Sequence, residues 1–352
     1  MTRKTLKAME KAPLSARIRR AAMIRRIVLD DPGLESRLRN GLESAEKELL
    51  AHAESADDPR ISRLIGHLAA AGGKRLRPLL ALLGAEFGDP WRHGVTQAAV
   101  IAELVHVSSL YHDDVMDNAT TRHGVPSVNA HWGDRLAVLA GDLLLAKAAR
   151  LAADLGPEAA TLNANVAGRL VAGQIYELAG PAPGEDAIDH YFQVIAGKTA
   201  ALLGMALRLG AQQAGAPDPV VQGLGEYGEE LGLAFQIADD LLDLKASTEQ
   251  LGKEMGKDLA AGIASLPVLL ALADTTPQGA ALRELLSAGP TAGPAEQRRA
   301  LKLFRRSPAL GEAEAIMHDR LGRARRALSE LPPSPALQAL NALCDFVADQ
   351  TR

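Results

Sequence analysis

The sequence predicts an all-α protein, folded as a single large helical bundle around a central cavity. Hydrophobic residues make up 47% of the 352 residues, which is ample for one large core. Aromatic residues contribute only 3%, so this core must be built from Ala, Leu and Val. Ala- and Leu-rich stretches with a helical period recur along the chain, whereas alternating β-branched runs are scarce.

The elements follow one another with short interruptions. Residues 1–30 form a basic arm, for which a loosely packed segment is favoured over a helix on the body or an attractor for anionic lipid. Residues 31–352 are interpreted as one domain, because the Pro/Gly clusters within them are too short to be linkers. Two helices, around 96–117 and around 222–244, are expected to carry acidic motifs toward the cavity. The Pro/Gly clusters fall at 88–90, 181–184, 215–219, 288–294 and 332–335.

The charge and the cysteine content exclude some classes of function and indicate a cellular compartment. A formal net charge of −4 gives no support for nucleic-acid binding. Cys344 is the one cysteine, which excludes an intramolecular disulfide and a thiolate metal site. The sequence contains no signal peptide and no uninterrupted apolar run of the roughly 18 residues that a membrane span requires. We therefore expect a cytoplasmic protein.

The motif Asp-Asp-x-x-Asp occurs twice, each time within an apolar helical pattern. The i, i+4 spacing places the outer carboxylates of each copy on one helix face, where like charges repel. Mg²⁺ would explain this arrangement, since it binds one or two carboxylates, keeps several waters and completes its shell with substrate phosphates. Two facing clusters would clamp a diphosphate, whereas the alternative is two solvated helix faces. The six residues are Asp113, Asp114, Asp117, Asp239, Asp240 and Asp243.

A glycine-rich basic segment, Gly-Gly-Lys-Arg-Leu-Arg-Pro, precedes the first motif. Gly73 would let the backbone approach a ligand closely, and Lys74 and Arg77 would lie on one face, ready for a second phosphate group. His106, two helical turns before Asp113, could donate to the same group. A solvated helix start and a satisfied buried histidine are the alternatives when each feature is taken alone.

Further polar residues lie near the two motifs. Arg122 is a candidate phosphate clamp that His123 could assist. Lys198, followed by Thr199, stands in an apolar helical pattern where an unpaired lysine is costly, which suggests a diphosphate ligand. Gln236 precedes the second motif on the same helix face. Two lysines after that motif, one of which could cover the diphosphate, are Lys253 and Lys257, and Asp258 could orient a lysine or join the metal shell.

Four segments together resemble the all-trans isoprenyl (polyprenyl) diphosphate synthases. In its overall sequence character the chain resembles the bacterial long-chain members. Gly-Gly-Lys-Arg-Leu-Arg-Pro, His-Asp-Asp-Val-Met-Asp, Gly-Lys-Thr-Ala and Phe-Gln-Ile-Ala-Asp-Asp-Leu-Leu-Asp occur in the family's order. The resemblance implies a helical bundle of the isoprenoid synthase type. It also implies a Mg²⁺-dependent, head-to-tail condensation of isopentenyl diphosphate with an allylic diphosphate, in a homodimer. A lipid product would give a reason for peripheral membrane contact during product release.

The resemblance also implies roles for individual residues. The allylic diphosphate would be bound through Mg²⁺ by Asp113, Asp117 and Asp239, with Asp114, Asp240 and Asp243 assisting. Cationic contacts to that group would come from Arg122, Lys198 and Lys253. Isopentenyl diphosphate would be held by Gly73, Lys74, Arg77 and His106. The carbocation would be stabilised by the Lys198 carbonyl, the Thr199 hydroxyl and Gln236, and the leaving diphosphate would remove the final proton.

Two positions depart from the commoner family pattern, and two others bear on product length. His123 stands where many members have a second Arg for isopentenyl diphosphate, and Ile263 where many have a Lys that Lys257 could replace. Ser108 and Ser109, about one turn before the first motif, leave room for a long product. We expect about thirty to forty-five carbons, with geranylgeranyl diphosphate as the alternative.

Three other classes of protein remain as alternatives. A terpene cyclase would share the fold, but its second metal motif differs and its pocket is rich in aromatic side chains. A non-catalytic subunit of a heteromeric prenyl synthase would commonly lack some Asp residues, although His123 and Ile263 keep this class open. A structural helical protein with fortuitous acidic clusters is disfavoured by the ordered set of motifs.

Overall fold

The computed structural model describes residues 24, 26–27, 31–54, 58–245, 259, 261–277, 279–287 and 293–351. These residues are helical except for turns and one short hairpin, so the all-α prediction is confirmed. Most of the basic arm lies outside the described residues, as do Lys253, Lys257 and Asp258. At the end of the arm, Ile24 and Ile27 are helical and buried, which favours packing on the body at these two positions.

The described residues form a succession of helices with one two-stranded hairpin. They are α1 (Pro32–Glu54), α2 (Pro59–Ala71), α3 (Leu76–Ala85), α4 (Gly94–Met116), β1 (Thr121–Arg122), β2 (Val125–Pro126), α5 (Val128–Trp132), α6 (Asp134–Leu155), α7 (Pro157–Ala179), α8 (Ala187–Ile195), a π-helical turn (Ala196–Ala200), α9 (Ala201–Ala214), α10 (Asp218–Lys245), α11 (Leu266–Ala273), α12 (Ala280–Ser287), α13 (Pro294–Phe304), α14 (Ala309–Ala327) and α15 (Pro335–Asp349). Helices α4 and α10 contain the two helices expected around 96–117 and 222–244.

The chain divides into two compact units, each assembled from three stretches. Unit 1 comprises Met1–Ala167, Leu202–Gly225 and Leu331–Ala342, and unit 2 comprises Gly168–Ala201, Glu226–Glu330 and Leu343–Arg352. The single domain expected over residues 31–352 stays a prediction.

Unit 1 is organised around α4, which contacts α1, α3, α5 and α6. Alanines on α4, such as Ala98, Ala99 and Ala102, are fully buried and let neighbouring helices approach closely. Helices α3 and α9 cross with their backbones in contact, since a Cβ on Gly84 would overlap the Leu207 carbonyl. The core is aliphatic, as predicted, and each fully buried Leu or Ile contributes about 1.5–3 kcal/mol. This packing fixes the C-terminal end of α4, which carries the first Asp motif.

A two-residue turn joins β1 and β2 just after the first Asp motif. His123 and Gly124 occupy this turn with φ angles of 54° and 82°. Positive φ at both central residues is typical of a type I′ turn, whose twist suits a tight antiparallel hairpin. The register pairs Arg122 with Val125. The hairpin therefore fixes the positions of Arg122 and His123.

Unit 2 contains α8, the π-helical turn, most of α10, and α11 to α14. Helix α8 contacts α11, and α11 contacts α12 and α14. Asp186 caps α8, because its carboxylate accepts hydrogen bonds from the backbone N–H groups of Ile188 and Asp189 at 2.8 and 3.0 Å. The helical stretch Ala187–Ala214 is long and apolar enough to span a membrane, but 78% of its most apolar window is buried, as in a core helix.

Candidate active site

The first Asp motif occupies the last turn of α4 in unit 1. Asp114 is fully buried, whereas Asp113 is partly exposed and Asp117, at the end of the helix, is exposed. Asp117 donates its backbone N–H to the Asp113 carbonyl at 2.8 Å, which keeps the two outer residues one turn apart. The predicted common face of the outer carboxylates is therefore solvent-accessible, and the middle carboxylate points into the protein.

Asp114 is bound by the hairpin that follows it. Its Oδ1 accepts hydrogen bonds from Arg122 Nε at 2.8 Å and Nη2 at 2.6 Å, and its backbone carbonyl accepts from Asn129 at 3.0 Å. Burial raises the pKa of Asp114, while the ion pair with Arg122 opposes the rise. The Oδ2 atom is buried without a protein partner. Arg122, predicted as a phosphate clamp, thus also fastens the hairpin to α4.

The cations of the glycine-rich basic segment lie in different surroundings, one buried and one exposed. Arg75 has a left-handed backbone with φ 52° and is buried, so its guanidinium reaches Glu103 Oε1 at 2.7 Å and Glu46 Oε1 at 3.0 Å. Burial alone would lower the pKa of Arg75, but the two glutamates outweigh it and raise the pKa. Lys74 is left exposed. Sequence reasoning missed Glu46 and Glu103, which lie 29 and 28 positions from Arg75.

A cationic cluster forms around His106, next to this segment. Burial and the nearby Arg77 and His123 hold the pKa of His106 well below its ordinary value, so this imidazole is neutral. Burial lowers the pKa of Arg77 to about 10, and its Nε has no protein partner. Burial and Arg122 lower the pKa of His123. An anion would relieve these mutual repulsions, which is the property expected of a phosphate site.

The structure brings most of the predicted isopentenyl diphosphate residues together. The ring of His123 lies beside Gly73, since a Cβ on that glycine would be 3.8 Å from the imidazole Cε1. Gly73, Arg77, His106 and His123 therefore surround one region of unit 1, with Lys74 at its exposed edge.

The two serines before the first motif have different surroundings. Ser108 is fully buried and donates to the Gly141 carbonyl on α6 at 2.9 Å, so it lies in the contact between α4 and α6. Ser109 is partly exposed and donates to the His106 carbonyl at 2.9 Å. Its i, i+4 relation to Asp113 places it on the face of the outer carboxylates. Tyr111 is buried and donates to the carbonyls of Leu64 and Ile65.

The second Asp motif lies near the end of α10 in unit 2 and repeats the same division. Asp239 is exposed, Asp243 is partly exposed and Asp240 is buried. Asp240 Oδ2 accepts from the Tyr191 hydroxyl at 2.7 Å and from the Leu266 backbone N–H at 3.2 Å. Burial raises the pKa of Asp240 to about 6, although these hydrogen bonds oppose the rise.

Lys198 and Thr199 lie in the π-helical turn, a distortion that is frequent at functional sites. Thr199 Oγ1 donates to Gln236 Oε1 at 3.1 Å, and Gln236 Nε2 donates to Asp240 Oδ1 at 3.2 Å. The turn packs tightly on α7, because a Cβ on Gly173 would lie 2.9 Å from the Lys198 nitrogen. Thr199 and Gln236 are therefore connected to the second motif.

Lys198 has a protein partner that sequence reasoning missed. Its ammonium group forms an ion pair with Glu177 on α7, and Gln174 also donates to Glu177 at 3.0 Å. The expectation that a lysine here must be paired is therefore satisfied within the protein. Tyr191 was also missed, because its place seven positions before Lys198 gave no signal. Ile263, one of the two departures, is 49% exposed.

The acidic residues fit a divalent cation that shares its shell with a ligand. Among the described residues, no three His, Cys, Asp or Glu side chains converge into a complete cation site. Mg²⁺ commonly takes only one or two protein carboxylates and fills its shell with water and phosphate oxygens. The accessible outer carboxylates of the two motifs are oxygen donors of this kind.

Comparisons with known proteins show the family of this chain. The family described as "Polyprenyl synthetase" matches residues 58–304. The nonaprenyl diphosphate synthase of Mycobacterium tuberculosis is 41% identical, with 94% of this chain and 98% of that protein covered. The heptaprenyl diphosphate synthase component 2 of Geobacillus stearothermophilus is 36% identical, with 88% of this chain and 96% of that protein covered.

Solved structures give the same result. The geranylgeranyl pyrophosphate synthase from Corynebacterium glutamicum, complexed with calcium and isoprenyl diphosphate, superimposes with a TM-score of 0.84 at 37% identity, over 92% of this chain and 98% of that one. The family match covers more than half of the chain, and relatives above 30% identity cover almost all of it. This chain is a prenyltransferase that belongs to the polyprenyl synthetase family.

Proposed function

We propose that this prenyltransferase condenses isopentenyl diphosphate with an allylic diphosphate, using Mg²⁺, to give an all-trans polyprenyl diphosphate of about thirty to forty-five carbons. One observation carries the assignment of the site. In both Asp motifs the outer carboxylates are accessible while the middle carboxylate is buried and hydrogen-bonded to its own unit. Two merely solvated helix faces give no reason to bury and hydrogen-bond the middle carboxylate, whereas a middle residue held by the protein fixes the turn that presents the outer carboxylates to a metal.

Mg²⁺ at the outer carboxylates would supply positive charge that stabilises the diphosphate as it leaves the allylic carbon. Asp113, Asp117 and Asp239 are the proposed ligands, and Asp243 assists. Asp114 and Asp240 hold their helices through Arg122 and Tyr191, so their effect on the metal is exerted through position. Arg122 keeps part of its guanidinium accessible and adds a direct cationic contact.

The cationic cluster of unit 1 is the proposed binding site for isopentenyl diphosphate. Arg77 and Lys74 provide charge, and neutral His106 donates one N–H. His123 replaces the second Arg of many family members. Because burial and the surrounding cations lower its pKa, His123 is a neutral donor before the anion binds and gains a proton more easily afterwards.

Two polar side chains of unit 2, Thr199 and Gln236, are proposed to stabilise the carbocation electrostatically. Thr199 Oγ1 and Gln236 Oε1 place oxygen dipoles beside the second motif, and an oxygen dipole stabilises a positive carbon without reacting as a strong base. Deprotonation at the end of each condensation is assigned to the departing diphosphate. Lys198, held by Glu177, adds a positive charge near the leaving group.

Two observations support a long product. The nonaprenyl synthase, whose printed name specifies nine prenyl units, is 41% identical over almost the whole chain. Ser109, on the face of Asp113, presents only a hydroxymethyl group. Geranylgeranyl diphosphate stays the alternative, because the Corynebacterium geranylgeranyl synthase is 37% identical. Replacing Ser109 by Phe is expected to shorten the product, whereas Thr161→Phe, on exposed α7 surface, leaves it unchanged.

A homodimer in the cytoplasm is the proposed working form. In unit 1, α6 exposes Leu136 and Leu139, and in unit 2, α7 exposes Ile175 and Leu178. Apolar residues at helical spacing on an open face are candidates for burial against a second copy. The alternative is a heteromeric synthase. It is suggested by the similarity to heptaprenyl diphosphate synthase component 2, whose name specifies one component of a larger enzyme.

The test is elongation by the purified chain alone. Radiolabelled isopentenyl diphosphate and Mg²⁺ are supplied with dimethylallyl, geranyl, farnesyl or geranylgeranyl diphosphate, and the dephosphorylated products are sized by chromatography. Asp113→Ala and Asp239→Ala are expected to abolish elongation. Glu284→Ala, an exposed carboxylate on α12, is the matched control that keeps it.

The outcomes separate the alternatives. A ladder that ends at one long prenol supports the proposal, and one that ends at twenty carbons supports the geranylgeranyl alternative. Absence of products with every primer would overturn the stand-alone synthase. In that case, restored activity on adding a second component would identify the heteromeric class.

A further inference from the structure

One cation of the glycine-rich basic segment has no role in the proposed function. Lys74 and Arg77 are assigned to isopentenyl diphosphate, whereas Arg75 between them is only 4% exposed. Its backbone has φ 52° and ψ 41°, a left-handed conformation that residues other than glycine seldom adopt. A buried guanidinium on such a backbone needs compensating contacts, so the contacts of Arg75 indicate what holds this conformation.

Arg75 is bound by three separate helices of unit 1. Its Nη1 donates to Glu103 Oε1 on α4 at 2.7 Å. Its Nη2 and Nε donate to the two carboxylate oxygens of Glu46 on α1, at 3.0 and 3.3 Å. Nη2 also donates to the Ala69 carbonyl in the last turn of α2 at 2.6 Å. A planar guanidinium presents its donors in a fixed fork, so these partners define both the position and the orientation of Arg75.

The anchored Arg75 also fixes the neighbouring backbone of the segment. A Cβ on Gly73 would be 3.7 Å from Arg75 Nη1 and 3.8 Å from His123 Cε1, so Gly73 lies beside both side chains. Helix α3 starts at Leu76, and the Leu79 N–H donates to the Arg75 carbonyl at 3.1 Å, which joins Arg75 to the first turn of this helix. The two cations assigned to the substrate, one position before and two positions after Arg75, are therefore placed by the anchored residue.

Glu103 connects this anchor with the rest of the cationic cluster. It lies three residues before His106 and hence on the same face of α4. Burial lowers the pKa of Arg77 and of His123, and the negative charge of Glu103 opposes the lowering at both groups. The carboxylate that holds Arg75 is therefore also within electrostatic reach of the cluster.

We propose that Arg75, held by Glu46 and Glu103, is a positioning residue that sets the affinity for isopentenyl diphosphate. Its ion pairs keep the flanking Lys74 and Arg77 in the arrangement that binds the diphosphate, so little ordering is required when the substrate arrives. The proposal rests on the proposed function, which assigns the cationic cluster to this substrate.

The effect is expected to be confined to one of the two substrates. The first Asp motif, assigned to the allylic diphosphate, begins ten residues after Glu103 on α4, about 15 Å along the helix axis. Its middle carboxylate is held by Arg122. Loss of the Arg75 anchor should therefore weaken the binding of isopentenyl diphosphate and leave the binding of the allylic substrate and the metal unchanged.

Calorimetry in EDTA measures this affinity without the reaction. Isopentenyl diphosphate is titrated into the full chain, and the absence of divalent cations removes metal-dependent binding at the Asp motifs. Arg75→Lys keeps the positive charge but cannot bind both glutamates through a fork, so the dissociation constant is expected to rise about tenfold. Arg37→Lys is the matched control that leaves it unchanged, because Arg37 also binds a carboxylate, Glu86, through Nε and Nη2 in the same unit.

A second variant removes the side chain without straining the backbone. Glycine adopts the left-handed conformation freely, so Arg75→Gly leaves the local backbone conformation accessible. The dissociation constant is expected to rise further than in Arg75→Lys, and millimolar guanidinium chloride should lower it again by binding between Glu46 and Glu103. Sodium chloride at the same concentration is the control for ionic strength. If Arg75→Gly does not fold, Glu46→Gln tests the same network by an isosteric change and is expected to raise the dissociation constant about threefold.

Steady-state kinetics with a fixed allylic primer completes the test. In Arg75→Lys the KM for isopentenyl diphosphate should rise with the dissociation constant, while the KM for the primer and kcat stay within about twofold. Thermal unfolding of each variant shows that the folded protein is being compared.

The possible results are distinct. The proposal is overturned if the wild type does not bind isopentenyl diphosphate in EDTA, if Arg75→Lys binds it as tightly as Arg37→Lys, or if both substrates lose affinity equally. If the wild type binds it with the expected dependence on Arg75 but forms no product, the proposed function is wrong and the positioning role stands. If the wild type elongates and its affinity does not depend on Arg75, the positioning role alone is wrong.

Discussion

The two Asp motifs have the same spacing and the same division into accessible and buried carboxylates, yet their middle residues are held differently. Asp114 is paired with a cation, Arg122, at 2.6 Å. Asp240 is bound by neutral donors, with the Tyr191 hydroxyl the nearest at 2.7 Å. A buried carboxylate with a charged partner is sensitive to losing that partner, whereas one with neutral donors is sensitive to its own protonation. The first motif is therefore expected to be sensitive to loss of Arg122, and the second to protonation of Asp240.

The largest expected effect separates outer from middle carboxylates. Asp113→Asn or Asp239→Asn removes a charge proposed to bind the metal, so kcat is expected to fall at least about 100-fold, with little change in melting temperature. Asp114→Asn and Asp240→Asn alter buried hydrogen bonds and are expected to change the melting temperature as well. Steady-state kinetics and thermal unfolding of all four variants test this. Outer variants that turn over normally would contradict the assignment of the metal ligands.

The next effect concerns the ion pair of the first motif. Arg122→Gln leaves the fully buried Asp114 carboxylate without its charged partner, so the free energy of unfolding is expected to fall by about 3 kcal/mol. Urea denaturation at neutral pH gives this value. Arg150→Gln, which breaks an exposed pair with Asp154 on α6, is the matched control and should change little.

A double variant sharpens this result. Adding Asp114→Asn to Arg122→Gln removes the unpaired charge, so part of the lost stability should return. If the double variant is as unstable as the sum of the two single variants, the pair contributes by packing alone.

Local features of the site could be predicted from the sequence, and distant partners could not. Helical periodicity located α4 and α10 and placed the outer carboxylates on one face, because these relations depend only on residues within a few positions. Tyr191 and Asp240 lie 49 positions apart, so nothing in the local pattern connects them. Arg75 and Glu46 are another such pair, joined by the packing of α1 against the glycine-rich segment.

Ser108 and Ser109 show that the local sequence does not predict the surroundings of each single residue. Consecutive helical positions differ by about 100° around the axis, so Ser108 and Ser109 cannot share a face. The pattern before the motif did not reveal which of them α6 would cover. Packing resolves this, because Ser108 meets the Gly141 carbonyl and Ser109 stays on the face of Asp113.

The second motif is expected to give the metal-free protein a characteristic pH dependence. Burial raises the pKa of Asp240 to about 6, from an ordinary value of 3.8. The folded state therefore binds more protons than the unfolded state between these values, and stability is lost as the pH rises from about 4 to about 6. The expected loss is about 2 kcal/mol. Urea denaturation in EDTA across this range, with Asp240→Asn as the reference, measures it. Parallel curves for the two proteins would contradict the raised pKa.

The smallest expected effect tests the neutral donor itself. Tyr191→Phe removes the hydroxyl that donates to Asp240, while the Leu266 N–H and Gln236 remain, so the free energy of unfolding should fall by about 1 kcal/mol. Because the Tyr191 hydrogen bond lowers the pKa of Asp240, its loss should also move the pH at which stability levels off to a higher value. Tyr176→Phe, at a 46% exposed position on α7, is the matched control for both measurements. An unchanged free energy of unfolding together with an unmoved pH profile would show that Asp240 is held by its backbone and amide donors. The Tyr191 hydroxyl would then not be the counterpart of Arg122 in the first motif.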